Sequence, residues 1–269
     1  MASTGGGEAA GFQRLFAKEL TARREAEGLS RVKLAELLGC TRQWLDKVET
    51  LERVPSEALA DDLDTYFKTG GTFRRIRDEL EEARRLALIP TGFRPVIEIE
   101  RQARQVRLYE ALLIPGLFQT ETYARAVFEV GHPPAVVEEQ VNVRMARQTL
   151  LEKADAPWMF ALLRENVLRD VPCDLRQEQC KRLLELSDRF NIFIQVLPLG
   201  ARVFESGSFQ LLSTDSHEIA YVEAANSAGQ IIGEPGKVSK YALLFERARA
   251  AALPAEESKH LIRTIMEDV

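Results

Sequence analysis

The sequence predicts an α+β protein: an all-helical N-terminal bundle followed by a mainly helical domain that contains a small, mostly antiparallel sheet. Three observations support this class. Apolar residues before position 70 recur at helical spacing, every three to four positions. From Ala156 onward, short β-rich runs such as 191–197 alternate with helical segments. The length of 269 residues is sufficient for two domains of ordinary size.

Helices are predicted from apolar spacing and from capping residues at their ends. In the first part of the chain, the predicted helices cover residues 12–27, 31–38, 42–49, 55–67 and 73–88. In the second part, they cover 96–113, 119–128, 136–153, 175–190, 237–252 and 255–266. Strands are predicted where β-branched and aromatic residues cluster, over 158–163, 191–197, 208–212 and 219–223.

Breaks in these patterns divide the chain. The predicted parts are a flexible tail (1–11), a helical unit (12–70), a helical linker (71–95) and an α+β domain (96–269). No apolar run approaches the roughly 20 residues that span a bilayer, and the N-terminus lacks the basic and apolar regions of a secretory signal. We therefore expect a cytoplasmic protein without membrane attachment.

Two short helices joined by a tight turn lie within residues 29–49. Ser30 and Thr41 occupy the N-cap positions of these helices, and Gly39 ends the first one. This arrangement is typical of a helix-turn-helix. At about 100° per residue, the apolar Leu45 and Val48 lie on one side of the second helix.

The other side of this second helix and its flanks carry polar and aromatic side chains: Arg42, Gln43, Trp44 and Lys47. In a DNA major groove, arginine recognises guanine and glutamine recognises adenine through paired hydrogen bonds, each worth about 1–3 kcal/mol of discrimination. Spacing alone also fits a purely structural helix pair. Charge does not decide between DNA binding and a structural helix pair, because residues 12–53 hold nine basic and only slightly fewer, seven, acidic side chains. With so small a positive surplus, weak nonspecific binding to DNA is expected.

The segment resembles the Cro/phage-repressor-like (XRE-type) helix-turn-helix family at these positions: Leu29, Ser30, Leu34, Ala35, Gly39, Thr41, Leu45, Val48 and Glu49. The resemblance implies that helix 42–49 enters the major groove, with base or groove contacts from Arg42, Gln43, Trp44 and Lys47. It implies phosphate contacts from Ser30, Arg31 and Thr41, and a structural ion pair between Arg24 and Glu49.

Two positions depart from this family pattern. Arg31 stands where the family commonly has glutamine, and Thr50-Leu51 follows Glu49 where the family has glycine. The exit turn after the second helix is therefore expected to differ. Trp44 is bulkier than the residue usual at its position, which suits either contact with a thymine methyl group or contact with a protein partner.

The second half of the chain carries a different set of motifs, RLYE (107–110), LIPGLFQT (113–120), YARA (123–126) and RMARQ (144–148). They are similar to the domain of unknown function (DUF5753) that follows the helix-turn-helix in a large actinobacterial family of WhiJ-type regulators. This resemblance implies a cytoplasmic transcriptional regulator of development or specialised metabolism. It also implies a small partner protein encoded by an adjacent gene.

Four polar residues of the second domain are candidate contacts for an acidic ligand or a partner carboxylate: Arg125, Arg144, Arg147 and Gln148. Guanidinium groups bind carboxylates through paired hydrogen bonds. The alternative is an ordinary face that is solvated or paired within the chain, with Glu165 and Glu223 as candidate partners for these arginines.

Neither a nucleophile elbow nor a phosphate-binding loop is found, and the three cysteines and three histidines lack metal-ligand spacing. We therefore predict a protein that is not an enzyme and that needs no cofactor or metal. The predicted function is sequence-specific regulation of transcription through double-stranded DNA. Because one helix-turn-helix covers only a half-site, a homodimer is expected. The alternative is a protein-interaction module of the antitoxin or anti-regulator type that docks a small partner protein.

Overall fold

The computed structural model describes residues 4–89, 93–203, 207–223 and 229–268. It divides the chain into two compact units, residues 1–91 and 92–269. Among the described helices, none is both long and apolar enough to cross a lipid bilayer. The α+β class predicted from the sequence is confirmed, with a helical first unit and a sheet in the second.

The first unit is a bundle of helices: α1 (Thr4–Ala26), α2 (Arg31–Leu38), α3 (Arg42–Glu49), α4 (Glu57–Phe67) and α5 (Thr72–Leu88). Its core brings α1 against α5, and the rings of Phe16 and Phe73 meet edge to face with their centroids 5.2 Å apart. Leu34 and Leu45 are fully buried in the same core. Helices α2 and α3 are thereby fixed on the bundle by apolar contacts, which supply most of the stability of short helices.

Two predicted boundaries of the first unit require correction. Helix α1 begins at Thr4, so the segment 1–11, expected to be a flexible tail, is helical from that residue onward. The expected linker 71–95 contributes α5 to the bundle. The Asp64 carboxylate on α4 accepts hydrogen bonds of 2.9 Å from the backbone N–H groups of Phe73 and Arg74, which caps the start of α5. The glycine pair at 70–71 is therefore a turn inside the bundle.

The second unit combines helices on both faces of a sheet. Its helices are α6 (Arg94–Gln102), α7 (Glu121–Glu129), α8 (Pro134–Gln148), α9 (Glu165–Arg169), α10 (Cys173–Ser187), α11 (Pro235–Ala250) and α12 (Ala255–Glu267), with a 3-10 turn at Thr149–Glu152. Its strands are β1 (Gln105–Glu110), β2 (Trp158–Arg164), β3 (Ile192–Leu197), β4 (Phe209–Ser213), β5 (Glu218–Val222) and β6 (Gln230–Ile232).

The described strands form one mixed sheet in the order β3-β2-β1-β4-β5-β6. The pairs β1–β2 and β2–β3 are parallel, and the remaining three pairs are antiparallel. Helix α11 packs on one face, where Phe245 belongs to the same buried cluster as Tyr109 and Leu211. Helices α7, α10 and α12 supply the core of the opposite face. The parallel half of the sheet was not predicted from the sequence.

The prediction of one long helix over residues 96–113 is wrong. Helix α6 ends at Gln102, and β1 follows at the centre of the sheet. Val106 and Leu108 are buried on one face, while Tyr109 is buried on the other. Residues 105–108 alternate polar and apolar side chains, but the alternation stops at Tyr109, which is apolar and buried because the second face is covered as well.

Candidate functional site

The turn between α2 and α3 is set by its local sequence. Gly39 has a φ of 66°, the left-handed conformation that glycine adopts without steric cost. The N–H of the following Cys40 donates to the Ala35 carbonyl at 3.0 Å, which closes the end of α2. The hydroxyls of Ser30 and Thr41 each accept a hydrogen bond of 3.2 Å from a backbone N–H in the first turn of their helix. These caps define the relative direction of α2 and α3.

The two sides of α3 are as different as its sequence predicts. Leu45 and Val48 are buried in the core of the first unit. Arg42, Gln43 and Lys47 are exposed, and among the described residues their side chains form no hydrogen bond or ion pair. Three of the four expected groove contacts therefore share one face that is open to an outside partner.

Trp44, the fourth expected groove contact, occupies a different environment. It is half-buried and packs against the core of the first unit. The guanidinium of Arg53 lies over its ring, 4.6 Å from the centroid. A cation on the face of an indole is attracted to the electron density of the ring. Trp44 therefore keeps the positive charge of Arg53 beside α3, in addition to any contact that the indole itself makes with a partner.

Arg53 was not found by sequence reasoning, because it lies beyond the exit turn of α3. That turn places Leu51 at a φ of 67°, in the left-handed region, where the family pattern has glycine. Gln13 of α1 donates from Nε2 to the Leu51 carbonyl at 3.1 Å and to the Arg53 carbonyl at 3.3 Å. The missing glycine was the available signal that this turn is built differently.

Arg24 and Glu49 form a buried ion pair between α1 and α3. The Arg24 Nε donates to Glu49 Oε1 at 2.7 Å, and the Glu49 side chain is only 1% exposed. The hydrogen bond and charge of Glu49 raise the pKa of Arg24 above its ordinary value. Since a buried carboxylate is costly unless it is paired, this contact fixes how α3 is seated on α1.

Arg31 uses the same carboxylate. Its Nε donates to Glu49 Oε2 at 2.5 Å, and its Nη1 lies 2.8 Å from Asp46 Oδ1. Arg31 still keeps 41% of its side chain exposed. The expected phosphate contact is therefore a cation already shared between two acidic residues, and the exposed part of its guanidinium is what a phosphate would meet.

The candidate contacts in the second unit do not form one cluster. Arg125 is ion-paired on the surface with Glu121 and Glu138. Arg147 donates two hydrogen bonds of 2.7 Å to Glu100, whose side chain is 1% exposed. Both residues therefore already hold carboxylates of their own chain.

Gln148 and Arg144 are joined through the loop that precedes α7. Gln148 donates from Nε2 to the carbonyls of Gly116 at 3.0 Å and Gln119 at 2.8 Å. The Nη1 of Arg144 donates to Gln119 Oε1 at 2.6 Å, and the guanidinium lies 4.4 Å from the centroid of the Phe128 ring. Gln148 thus holds the loop, whereas Arg144 meets a neutral amide and an aromatic ring.

Of the two glutamates named as partners for these arginines, Glu165 is not one. Its carboxylate pairs with Arg169 at 2.7 Å and accepts a hydrogen bond of 2.8 Å from the Leu199 N–H. Glu223 interacts electrostatically with Arg144 and Arg147, but forms no ion pair among the described residues. Local helix geometry explains the difference, because Arg169 lies one turn after Glu165 on α9.

Glu223 belongs to a row of polar residues across three strands, which we call the carboxylate row: Glu110, Ser208 and Glu223. Tyr109 pairs with Phe209, and Phe209 pairs with Val222. One residue further along, Glu110 therefore lies opposite Ser208, and Ser208 lies opposite Glu223. The Glu223 N–H donates to the Ser208 carbonyl at 3.2 Å. All three side chains lie on one face, because residues paired across strands point to the same side.

The charges near the carboxylate row are strongly perturbed. Burial, together with the charge of Glu223, raises the pKa of Glu110 to about 8. Burial also raises the pKa of Glu223, which Arg144 and Arg147 oppose. Burial and the neighbouring Arg147 lower the pKa of Arg144 to about 10. Glu110 was missed by sequence reasoning because its segment was predicted to be helical.

Among the described residues, no group of three or more His, Cys, Asp or Glu side chains is arranged to hold a metal ion. Two family models match the chain. One, a domain of unknown function (DUF5753), matches residues 93–264. The other, a helix-turn-helix domain, matches residues 15–75. No curated protein and no solved structure matches the chain.

Proposed function

Because the chain belongs to the DUF5753 family and carries a DNA-binding helix-turn-helix domain, we propose that it is a sequence-specific regulator of transcription whose helix α3 contacts bases in the major groove. The observation that carries this proposal is the exposed face of α3. There Arg42, Gln43 and Lys47 are open and unpaired within the described residues, while the opposite side of the helix is fixed by Leu45 and Val48.

The proposed recognition divides the residues into two kinds. Base or groove contacts come from Arg42, Gln43, Lys47 and Trp44, since side chains of these types match the donor and acceptor pattern of base edges or contact the thymine methyl group. Phosphate contacts come from Ser30, Arg31 and Thr41 at the first turns of α2 and α3, where backbone N–H groups favour an anion. The Arg53 cation held on Trp44 adds a further candidate phosphate contact.

The second unit is proposed to sense a small molecule or a protein partner, and not to catalyse a reaction. The perturbed charges around the carboxylate row support this role, because such groups cluster at functional sites. In this proposal the protein acts in the cytoplasm, on genes of development or specialised metabolism. A small protein encoded by an adjacent gene is the proposed macromolecular partner.

We further propose that the active species is a homodimer. One helix-turn-helix contacts one half-site, and two-fold symmetric operators place half-sites about one helical turn, or 34–36 Å, apart. Sedimentation of the full chain alone and with operator DNA tests this directly. Two chains bound per symmetric site are expected, whereas one chain per site would overturn the dimer.

The DNA proposal is tested by selecting sequences that the purified full chain binds, from a pool of random duplexes. A defined sequence should be enriched, and the chain should bind it at least a thousandfold more tightly than scrambled DNA. Arg42→Ala should reduce this ratio at least tenfold. Lys181→Ala, an exposed lysine of the second unit, is the matched control and should leave the ratio unchanged. If no sequence is enriched, the interaction-module alternative is favoured.

A further inference from the structure

A group of aromatic side chains is exposed at the start of the parallel half of the sheet. We call it the aromatic patch: Phe160, Phe193, Trp158 and Phe190. Trp158 is 46% exposed, Phe190 78% and Phe193 39%, whereas Phe160 is half-buried against the core that includes α11. Apolar side chains that are exposed singly need no explanation, but a contiguous group marks a contact surface, and aromatic residues are enriched at such surfaces.

The rings of the aromatic patch contact one another in a fixed order. Phe160 and Phe193 lie directly opposite each other on β2 and β3, with their ring centroids 5.1 Å apart. The Trp158 ring lies 6.1 Å from that of Phe193 and 5.8 Å from that of Phe190. At the other end, the guanidinium of Arg249 lies over Phe160, 5.7 Å from the ring centroid. Phe193 is therefore the middle of a series that has a cation at one end and the exposed Phe190 ring at the other.

The backbone edge of β3, beside the aromatic patch, is partly closed. The Val196 N–H donates to Ser258 Oγ at 3.0 Å, and the Val196 carbonyl accepts from the Leu253 N–H at 2.9 Å. A partner strand added along the whole of β3 would have to displace both hydrogen bonds, and a covered edge resists such pairing. The surface offered to a partner is therefore the face that carries the rings.

The charges at the ends of the aromatic patch fit a second copy of the chain. Arg249 lies 3.7 Å from the Glu246 carboxylate, so the cationic end carries both signs of charge and does not repel a copy of itself. A two-fold axis beside Phe193 would place the Arg249 end of each copy on the Phe190 end of the other. A guanidinium over an open aromatic ring is a favourable contact, and a two-fold interface pairs unlike ends of one surface in this way.

The size of the aromatic patch also fits the centre of a dimer interface. Since a whole aromatic side chain presents roughly 150–250 Å², the exposed fractions of Trp158, Phe190 and Phe193 amount to roughly 300 Å². A standard interface takes about 800 Å² from each partner. The rings therefore account for the apolar centre, where a few side chains carry most of the binding energy, and a polar rim supplies the remaining area.

We propose that the aromatic patch is the centre of a two-fold interface between two copies of this chain. Phe193 lies next to the axis, and Arg249 of each copy lies over Phe190 of the other. The inference rests on the proposed homodimer and names the surface that forms it. Two helix-turn-helix domains are then joined through their second units, which leaves the exposed face of α3 open to DNA in each copy.

Sedimentation equilibrium of the full chain without DNA measures the dissociation constant of the dimer. Phe190→Lys should raise this constant at least tenfold, because it removes an exposed ring and places a cation opposite Arg249 of the second copy. Phe193→Lys should do the same, and circular dichroism checks that each variant is folded. If Phe193→Lys fails to fold, Phe190→Lys decides the outcome. Val130→Lys is the matched control, since Val130 is 89% exposed and ends α7, on the opposite face of the sheet; it should leave the constant unchanged.

A charge exchange tests the two-fold arrangement itself. Arg249→Glu alone should weaken the dimer, because it removes the cation that lies on Phe190 of the second copy. The double variant Phe190→Lys with Arg249→Glu places opposite charges across the interface, whereas within one copy the two positions are at opposite ends of the aromatic patch. It should dimerise at least tenfold more tightly than Phe190→Lys alone. Equal or weaker dimerisation of the double variant would overturn the arrangement.

The failure of this inference can be told apart from the failure of the proposed homodimer. If the wild type dimerises and neither Phe190→Lys nor Phe193→Lys changes the dissociation constant, the interface lies elsewhere and the homodimer stands. If the wild type is monomeric both alone and on its selected operator, the homodimer is overturned and this interface with it. The DNA selection described above reports on sequence recognition in either case.

Discussion

Arg31 of α2 and Glu49 of α3 are joined by a hydrogen bond of 2.5 Å between Nε and Oε2, directly across the helix-turn-helix. The other oxygen of the same carboxylate accepts from Arg24 of α1. One buried acidic side chain thus ties three helices together. It also restrains an arginine that we expect at the DNA backbone, so stability and phosphate binding depend on the same group.

Glu49→Gln is expected to destabilise the first unit by about 3–5 kcal/mol, because it leaves two guanidinium groups without their buried counter-charge. The chain has two tryptophans, one in each unit, so urea unfolding can be followed by Trp44 fluorescence in a Trp158→Phe background. Glu36→Ala is the control. Its pair with Lys33 is exposed on both sides, and its loss should cost less than about 1 kcal/mol. Equal effects of the two substitutions would show that the buried pair is not what stabilises α3.

Asp46→Asn is expected to strengthen binding to all DNA sequences several-fold, because it removes a negative charge from α3 and releases the Nη1 of Arg31. Arg31→Ala should weaken binding to all sequences and reduce the salt dependence by about one phosphate contact, a change of roughly 0.9 in the slope of log K against log salt. Fluorescence anisotropy from low to moderate salt measures both. If Asp46→Asn weakens binding at one base position only, Asp46 instead accepts a hydrogen bond from cytosine.

Arg147→Ala is expected to destabilise the second unit by about 3–5 kcal/mol, since it leaves the Glu100 carboxylate, 1% exposed, without a partner. Trp158 fluorescence in a Trp44→Phe background reports on this unit. Arg125→Ala should cost no more than about 1 kcal/mol, because the side chains of its two partners, Glu121 and Glu138, are 63% and 60% exposed. The reverse order would contradict the assignment of Arg147 to a structural pair.

Glu110 is expected to make the second unit less stable as the pH rises. Its folded pKa of about 8 lies above the ordinary value of 4.5 for a glutamate, so the folded state holds the proton more tightly than the unfolded state. The stabilisation is complete below pH 4.5 and is lost as the pH rises toward 8. The groups that act on Glu110 are Glu223, Ser208 and Arg147. Glu110→Gln should remove this dependence.

Urea unfolding of wild type and Glu110→Gln at pH 5 and pH 8, again followed by Trp158, measures this effect. From pH 5 to pH 8, Glu110→Gln should lose less stability than wild type. The pH dependence that remains should be smaller still in the double variant that combines Glu110→Gln with Glu223→Gln. Parallel pH profiles of wild type and Glu110→Gln would show that the Glu110 proton is not bound more tightly in the folded state.

The helix-turn-helix was predictable because its signals are local. Ser30, Gly39 and Thr41 cap or end helices within a few residues of themselves, and the spacing of Leu45 and Val48 defines the inward side of α3. The ion-pair partners of the arginines in the second unit were harder to predict, because Arg147 and Glu100 are brought together only by the packing of α8 near α6. Side-chain pairs this distant in sequence leave no local pattern.

Strand β1 shows the other reason for failure. Its segment QVRLYE also has apolar residues at spacings that a helix allows, so the central strand was assigned to a helix. Only its pairing with β2 and β4 separates the two structures. Because Glu110 lies at the end of this strand, the missed strand concealed the carboxylate row as well.

The central claim is that the exposed face of α3 contacts bases, and the most direct measurement compares wild type and Gln43→Ala on every single-base variant of the selected operator. We predict that the variant loses discrimination at one base position of each half-site, and keeps wild-type preferences at all others. A uniform loss at every position, or no loss at any, would contradict base contact by α3.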